Sequence, residues 1–216
     1  MSVHEYLSDS VSSEELLPGF LIEDFINSNV KSFRYFSGHY RNLPLKITSR
    51  EINLATVLRN PVERTISHYQ HAKRQADVPY HIDLKEITLN EFLISPLAPK
   101  FFGNYQARLL AEISPLSKKI IDNVNFSKIE DNQLFDLAMD GLSQINVVGV
   151  TERLDVFINA LSKAWNLPSP TKNYFINSAP HKFNEELSDK ATEKINMICA
   201  VDNMIYNEVL KNNAIL

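Results

Sequence analysis

The chain has 216 residues, with 22 lysines and arginines against 26 aspartates and glutamates and a formal charge of −4. That balance speaks against whole-surface attraction to nucleic acid or to an anionic membrane, so positive charge has to act locally. No apolar run approaches the roughly 18 residues of a membrane span, and the acidic start MSVHEYLSDSVSSEELL has neither the basic nor the apolar region of a signal peptide. With a single cysteine and hence no internal disulfide, the expectation is a soluble, cytoplasmic protein.

The length suits one domain spanning 1–216. Residues 1–13 are polar and read as loose. Helical spacing over 14–26 is interrupted by Pro18 and Gly19, and 31–36 alternates as a strand. Residues 53–58 read as the central strand, within which 54–58 is a short apolar run with β-branched members, as expected of a strand covered on both faces. A helix follows over 61–75. A short helix is expected over 89–94, capped by Thr88 or Asn90, and another over 104–112. A linker runs through Ser114 and Pro115 to about 127. Residues 130–143 are amphipathic, with Leu134, Leu137, Ala138 and Leu142 on one face. A second buried strand over 145–150 leads into a helix over 153–165, and a long terminal helix is expected over 187–211. Cys199, Met197 and Met204 read as core in that last segment. Strands alternating with helices predict an α/β fold, a parallel sheet flanked by helices.

The segment LATVLRNPVERTISHY, residues 54–69, carries the most information. Its strand ends on Arg59. Asn60, Pro61 and Glu63 then supply an N-cap, a proline at the first helical position and a carboxylate three residues after the cap. A strand-to-helix switch of this kind aims unpaired backbone N–H groups at the sheet edge, where anions bind. Along the helix, Val62, Ile66 and Tyr69 share an apolar face, while Arg64, Ser67, His71 and Arg74 lie opposite, in line with Asn60. Arg59 is therefore a candidate phosphate ligand, or else the partner of Glu63 in an ion pair. Arg64 is a second anion contact or a solvated charge. His68 and His71 are three apart without a third ligand at a zinc-like spacing, so no metal is expected.

LRNPVERTISHY resembles the 3′-phosphate-binding segment of the carbohydrate-type sulfotransferases, in particular their 2-O-sulfotransferase branch, which use 3′-phosphoadenylyl sulfate (PAPS) as donor. An arginine in an LR(D/N)P turn and a serine eight positions later hold the 3′-phosphate in that family, and Arg59 and Ser67 match them. Three further stretches agree in order. Phe36-Ser37-Gly38-His39 is similar to an SGH segment whose histidine is the proposed base, which implies that role for His39. Asn104-Tyr105-Gln106-Ala107-Arg108-Leu109-Leu110 is similar to an N-x-Q-x-R-x-L helix, and Asn104 and Arg108, four apart on one helical face, would meet the acceptor or the sulfonate. Their alternative is a surface cap. Val148-Gly149-Val150-Thr151-Glu152 is similar to a VG(L/V)TE segment, which places Thr151 near the nucleotide; the plainer reading is a helix N-cap. The resemblance spans roughly residues 31–211.

It implies a sulfotransferase with the fold of the P-loop nucleotide-binding enzymes, moving a sulfuryl group from PAPS to a hydroxyl of a carbohydrate-like acceptor. One departure accompanies it. The family's PKTGGTT-type phosphate loop has no counterpart here, since the five glycines are isolated from one another. The expectation is therefore a chain that lacks the first strand and its loop, and that self-associates through the uncovered flank. The alternatives are a non-catalytic relic that binds a 3′-phosphorylated adenine nucleotide, or a subunit completed by a partner chain.

Overall fold

The computed structural model describes residues 53–74, 84–117, 129–168 and 185–211, together with the backbone of two short strands, Ser10–Ser12 and Tyr35–Ser37. Two compact units divide the chain: Met1–Asn53 with Pro170–Pro180, and Leu54–Ser169 with His181–Leu216. In the first unit Ser10–Ser12 (β1) pairs in parallel with Tyr35–Ser37 (β2). β1 falls within the segment read as loose from sequence. Three residues of Ser-Val-Ser carry too little apolar alternation to announce a strand.

The second unit holds a parallel pair of strands flanked by helices, an arrangement compatible with an α/β fold. Ala55–Leu58 (β3) runs beside Val147–Val150 (β4), with Ala55 opposite Val147 and Leu58 opposite Val150. Both strands thus end at the same edge. β4 is buried throughout, whereas in β3 only Leu58 is fully buried. The helices are Pro61–Arg74 (α1), Leu89–Ile94 (α2), Leu97–Phe102 (α3), Tyr105–Ile113 (α4), Asp131–Ser143 (α5), Leu154–Ala164 (α6), Asp189–Ile198 (α7) and Ala200–Lys211 (α8). None of them is long and apolar enough to cross a membrane.

Local chemistry accounts for much of this. Thr88 caps α2 through a complete capping box with Glu91, whose carboxylate returns to the Thr88 N–H at 2.7 Å. α5 buries Leu134, Leu137, Ala138 and Leu142 as its 3.6-residue period requires. It also buries Gly141, which lies so close to the Leu110 carbonyl of α4 that no side chain fits. Gly149 in β4 is similarly covered by the Phe157 ring of α6.

The structure departs from the sequence reading at four points. α3 was not foreseen; Pro99 stands at its third position, where the missing N–H costs nothing. The terminal helix is two helices, interrupted at Cys199. Met197 and Met204 are 56% and 44% exposed, because the faces of α7 and α8 that point inward carry Ile195, Val201, Ile205 and Val209 instead. Cys199 itself is fully buried, as expected. On α1 the buried stripe is Pro61, Thr65, Tyr69 and Ala72, with Val62 and Ile66 only partly covered. The helix is thus turned by about one residue, which buries Tyr69 and Ala72 in the core and brings the Thr65 hydroxyl to 3.3 Å from the Cys199 thiol.

Candidate functional site

The shared edge of β3 and β4 brings two turns together. After β3 comes Arg59-Asn60, and after β4 a single 3₁₀ turn, Thr151–Arg153. Asn60 caps α1 as expected, its Oδ1 accepting from the N–H groups of Val62 and Glu63, both at 3.1 Å. The return bond of a capping box is supplied differently. The Asn60 N–H donates to Glu152 Oε1 at 3.3 Å, while Glu63 lies 3.8 Å from the Arg59 Nε. A carboxylate from the second turn therefore stands at the positive end of α1, where an anion was anticipated.

Glu152 is held from several sides. Burial pushes its carboxyl up, but bonds from the Tyr206 hydroxyl, its own N–H, the Asn60 N–H and the Thr151 hydroxyl outweigh that and leave it below the usual carboxylate range. Tyr206, buried and bonded to this carboxylate, is pushed up to about 12. Thr151 is exposed and is not the cap of α6, whose capping position is Arg153 with no side-chain cap bond. Its hydroxyl serves Glu152 rather than a helix end. Sequence reading passed over Glu152 although it lies in the quoted VGVTE stretch.

Arg59 presents its guanidinium with 41% of the side chain exposed, and its backbone is gripped on both sides by Gln106 of α4. Its ion pair with the more exposed Glu63 is the alternative anticipated from sequence, worth about 1 kcal/mol or less at such exposure. Ser67 lies half-buried on the same face of α1 as Asn60, two turns along. Arg64 stacks over the Tyr105 ring at 4.0 Å, so it is neither simply solvated nor simply an anion contact.

Asn104 and Arg108 are both engaged within the fold. Asn104 adopts a left-handed conformation (φ 43°, ψ 45°) and wedges into the break between α7 and α8. Its N–H donates to the Ile198 carbonyl at 2.7 Å, and its Oδ1 accepts from the N–H groups of Val201 and Asp202 at 3.0 and 3.3 Å. Asp202 answers by capping α4, accepting from the Gln106 N–H at 3.2 Å and the Ala107 N–H at 2.6 Å. Two helix starts thus cap one another. Burial pushes the Asp202 carboxyl up to about 6, against the opposing pull of those N–H groups and of Arg64 and Arg108. The Arg108 charge accordingly acts on a buried carboxylate of its own fold. Sequence reading missed Asp202 entirely, since an aspartate in the first turn of a helix is unremarkable.

His39 lies outside the described residues. His68 packs edge-on against Phe102 and Tyr105, at 4.6 and 5.7 Å, and His71 is exposed. Among the described residues no group of three metal-ligating side chains gathers. No protein-family model matches the chain, and no curated protein is significantly similar to it.

Proposed function

We propose that this chain is a sulfotransferase of the carbohydrate type, with a sheet-and-helix fold of the P-loop class, which holds the 3′-phosphate of PAPS between Arg59 and Ser67. The observation that carries the reading is Arg59 itself. A permanent cation stands at the carboxyl end of a parallel strand, the usual ligand edge of α/β sheets, with its backbone held from both sides and 41% of its side chain exposed beside Glu63. The N–H groups of Val62 and Glu63 at the start of α1 are already taken by the Asn60 side chain, and the Asn60 N–H by Glu152. The phosphate is therefore gripped by side chains, a bidentate guanidinium and the Ser67 hydroxyl, rather than by backbone donors.

PAPS supplies the sulfuryl group, and a hydroxyl of a carbohydrate-like molecule accepts it. His39 takes the acceptor's proton, a task suited to an imidazole near neutral pH. Thr151 belongs to the nucleotide's surroundings through Glu152. Arg64 and Arg108 give the region positive potential, and Asn104 acts by fixing the helix that carries Arg108.

Calorimetry with adenosine 3′,5′-bisphosphate and 5′-AMP tests the reading. The wild type should prefer the bisphosphate, and Arg59→Ala should lose on the order of 1.5–3 kcal/mol of that preference, the worth of one charge-assisted contact. Equal affinity of the wild type for the two nucleotides would refute the assignment. Transfer from labelled PAPS to a panel of glycans, abolished by His39→Ala, separates an enzyme from a nucleotide-binding chain without turnover.

A further inference from the structure

Gln106 is 8% exposed and reaches 47 positions back along the chain to grip Arg59. Its Oε1 accepts from the Arg59 N–H at 3.0 Å, and its Nε2 donates to the Arg59 carbonyl at 2.9 Å. A carboxamide is the side chain that can satisfy one backbone donor and one backbone acceptor together, and it does so in a single orientation. Gln106 is anchored in turn, because Asp202 accepts from its backbone N–H at 3.2 Å. The link runs from Asp202 through the start of α4 to the turn that ends β3. Arg59 has left the ladder of its strand and not yet entered α1, so no secondary-structure bond of its own holds those two backbone groups.

We infer that Gln106 is a positioning residue for the anion site: its two bonds to the Arg59 backbone set the direction in which the guanidinium leaves the turn, and so the strength of the 3′-phosphate grip. This role rests on the phosphate reading of Arg59. It moves the N-x-Q-x-R segment from acceptor binding to the support of the nucleotide site. The buried glutamine touches no ligand in this role and acts wholly through the backbone of Arg59.

The test compares the full-length wild type with Gln106→Met and Gln106→Glu, each titrated with adenosine 3′,5′-bisphosphate and with 5′-AMP at about pH 8 and about pH 5. The reading is the ratio of the two affinities, each variant taken relative to wild type at the same pH. General damage to the fold lowers both affinities and leaves the ratio in place. Methionine keeps the size and carries no charge, so Gln106→Met should lose roughly tenfold of the ratio at both pH values, the scale of one weakened charge-assisted contact. Glutamate at about pH 8 can accept from the Arg59 N–H but repels its carbonyl; burial against that carbonyl raises its carboxyl above the ordinary value of about 4.3, so that at about pH 5 it is protonated and can both accept and donate. Gln106→Glu should therefore lose the ratio at the higher pH and recover it at the lower. A Gln106→Met protein that keeps the wild-type ratio, or a Gln106→Glu protein without recovery, overturns the role of Gln106 alone. A wild type with no preference for the bisphosphate overturns the phosphate reading, and this role with it.

Discussion

Replacing Asp202 by asparagine should remove a component of stability that varies between about pH 4 and pH 6. In the fold this carboxyl, 3% exposed, is raised from its ordinary 3.8 to about 6, chiefly by burial. In the unfolded chain it ionises near its ordinary value. Between the two values the folded protein binds more protons than the unfolded one, so stability falls as pH rises through this window. The stabilising contribution is complete below about pH 4 and gone above about pH 6. At about 1.4 kcal/mol for each tenfold change in proton affinity, the difference is at most about 3 kcal/mol. Asparagine does not titrate, and it offers one oxygen where Asp202 offers a separate oxygen to each of Gln106 and Ala107. With the carboxyl protonated at acid pH one of those oxygens is a hydroxyl, so the variant should be less stable there only by the worth of about one hydrogen bond, about 0.5–1.5 kcal/mol. The gap should narrow towards neutrality. Urea unfolding of both proteins, followed by far-UV circular dichroism at intervals from about pH 4 to pH 7, measures that gap. A gap that stays constant or widens as pH rises would refute the argument that burial dominates at Asp202.

Gly141→Ala should destabilise the protein by about 3 kcal/mol in urea unfolding, although alanine is favoured over glycine by about 1 kcal/mol within a helix, because the new Cβ meets the Leu110 backbone, whose carbonyl carbon lies 2.8 Å away; a neutral substitution would contradict the close approach of α4 and α5. Asn104→Ala should cost about 2 kcal/mol or more, combining the lost cap of α8 with strain at φ 43°. Asn104→Gly should cost only about 1 kcal/mol, since glycine accepts the left-handed conformation, and equal losses for the two variants would dismiss the strain. Glu152→Gln removes a negative charge from the start of α1 while keeping an oxygen for the Asn60 N–H. Affinity for adenosine 3′,5′-bisphosphate should rise several-fold and its salt dependence should steepen, as expected when a like charge leaves an anion site; unchanged binding would place the phosphate away from this turn.

What was legible in the sequence is what adjacent residues decide. Thr88 with Glu91, and Asn60 with the N–H groups of Val62 and Glu63, are bonds within four positions, and chain proximity makes them almost unavoidable. The periodicity of 131–143 and the apolar runs that became β3 and β4 likewise follow from which side chains water rejects. Arg59 could be singled out for the same reason, because a strand that ends on arginine and turns at Asn-Pro states its own geometry. The partners of that arginine could not. Gln106 lies 47 positions away, and Glu152 meets Asn60 across 92, and neither residue looks unusual in its own stretch. The break at Cys199 has no local cause of the ordinary kind, neither proline nor glycine. It exists because Asn104, 97 positions from Val201, supplies hydrogen bonds that replace those of the helix. Asp202 acquires its raised proton affinity only after two helix starts close around it and exclude water. Local hydrogen bonding and hydrophobic period set the elements and the position of the cation; the desolvated, long-range bonds that aim it arise only when the chain has packed.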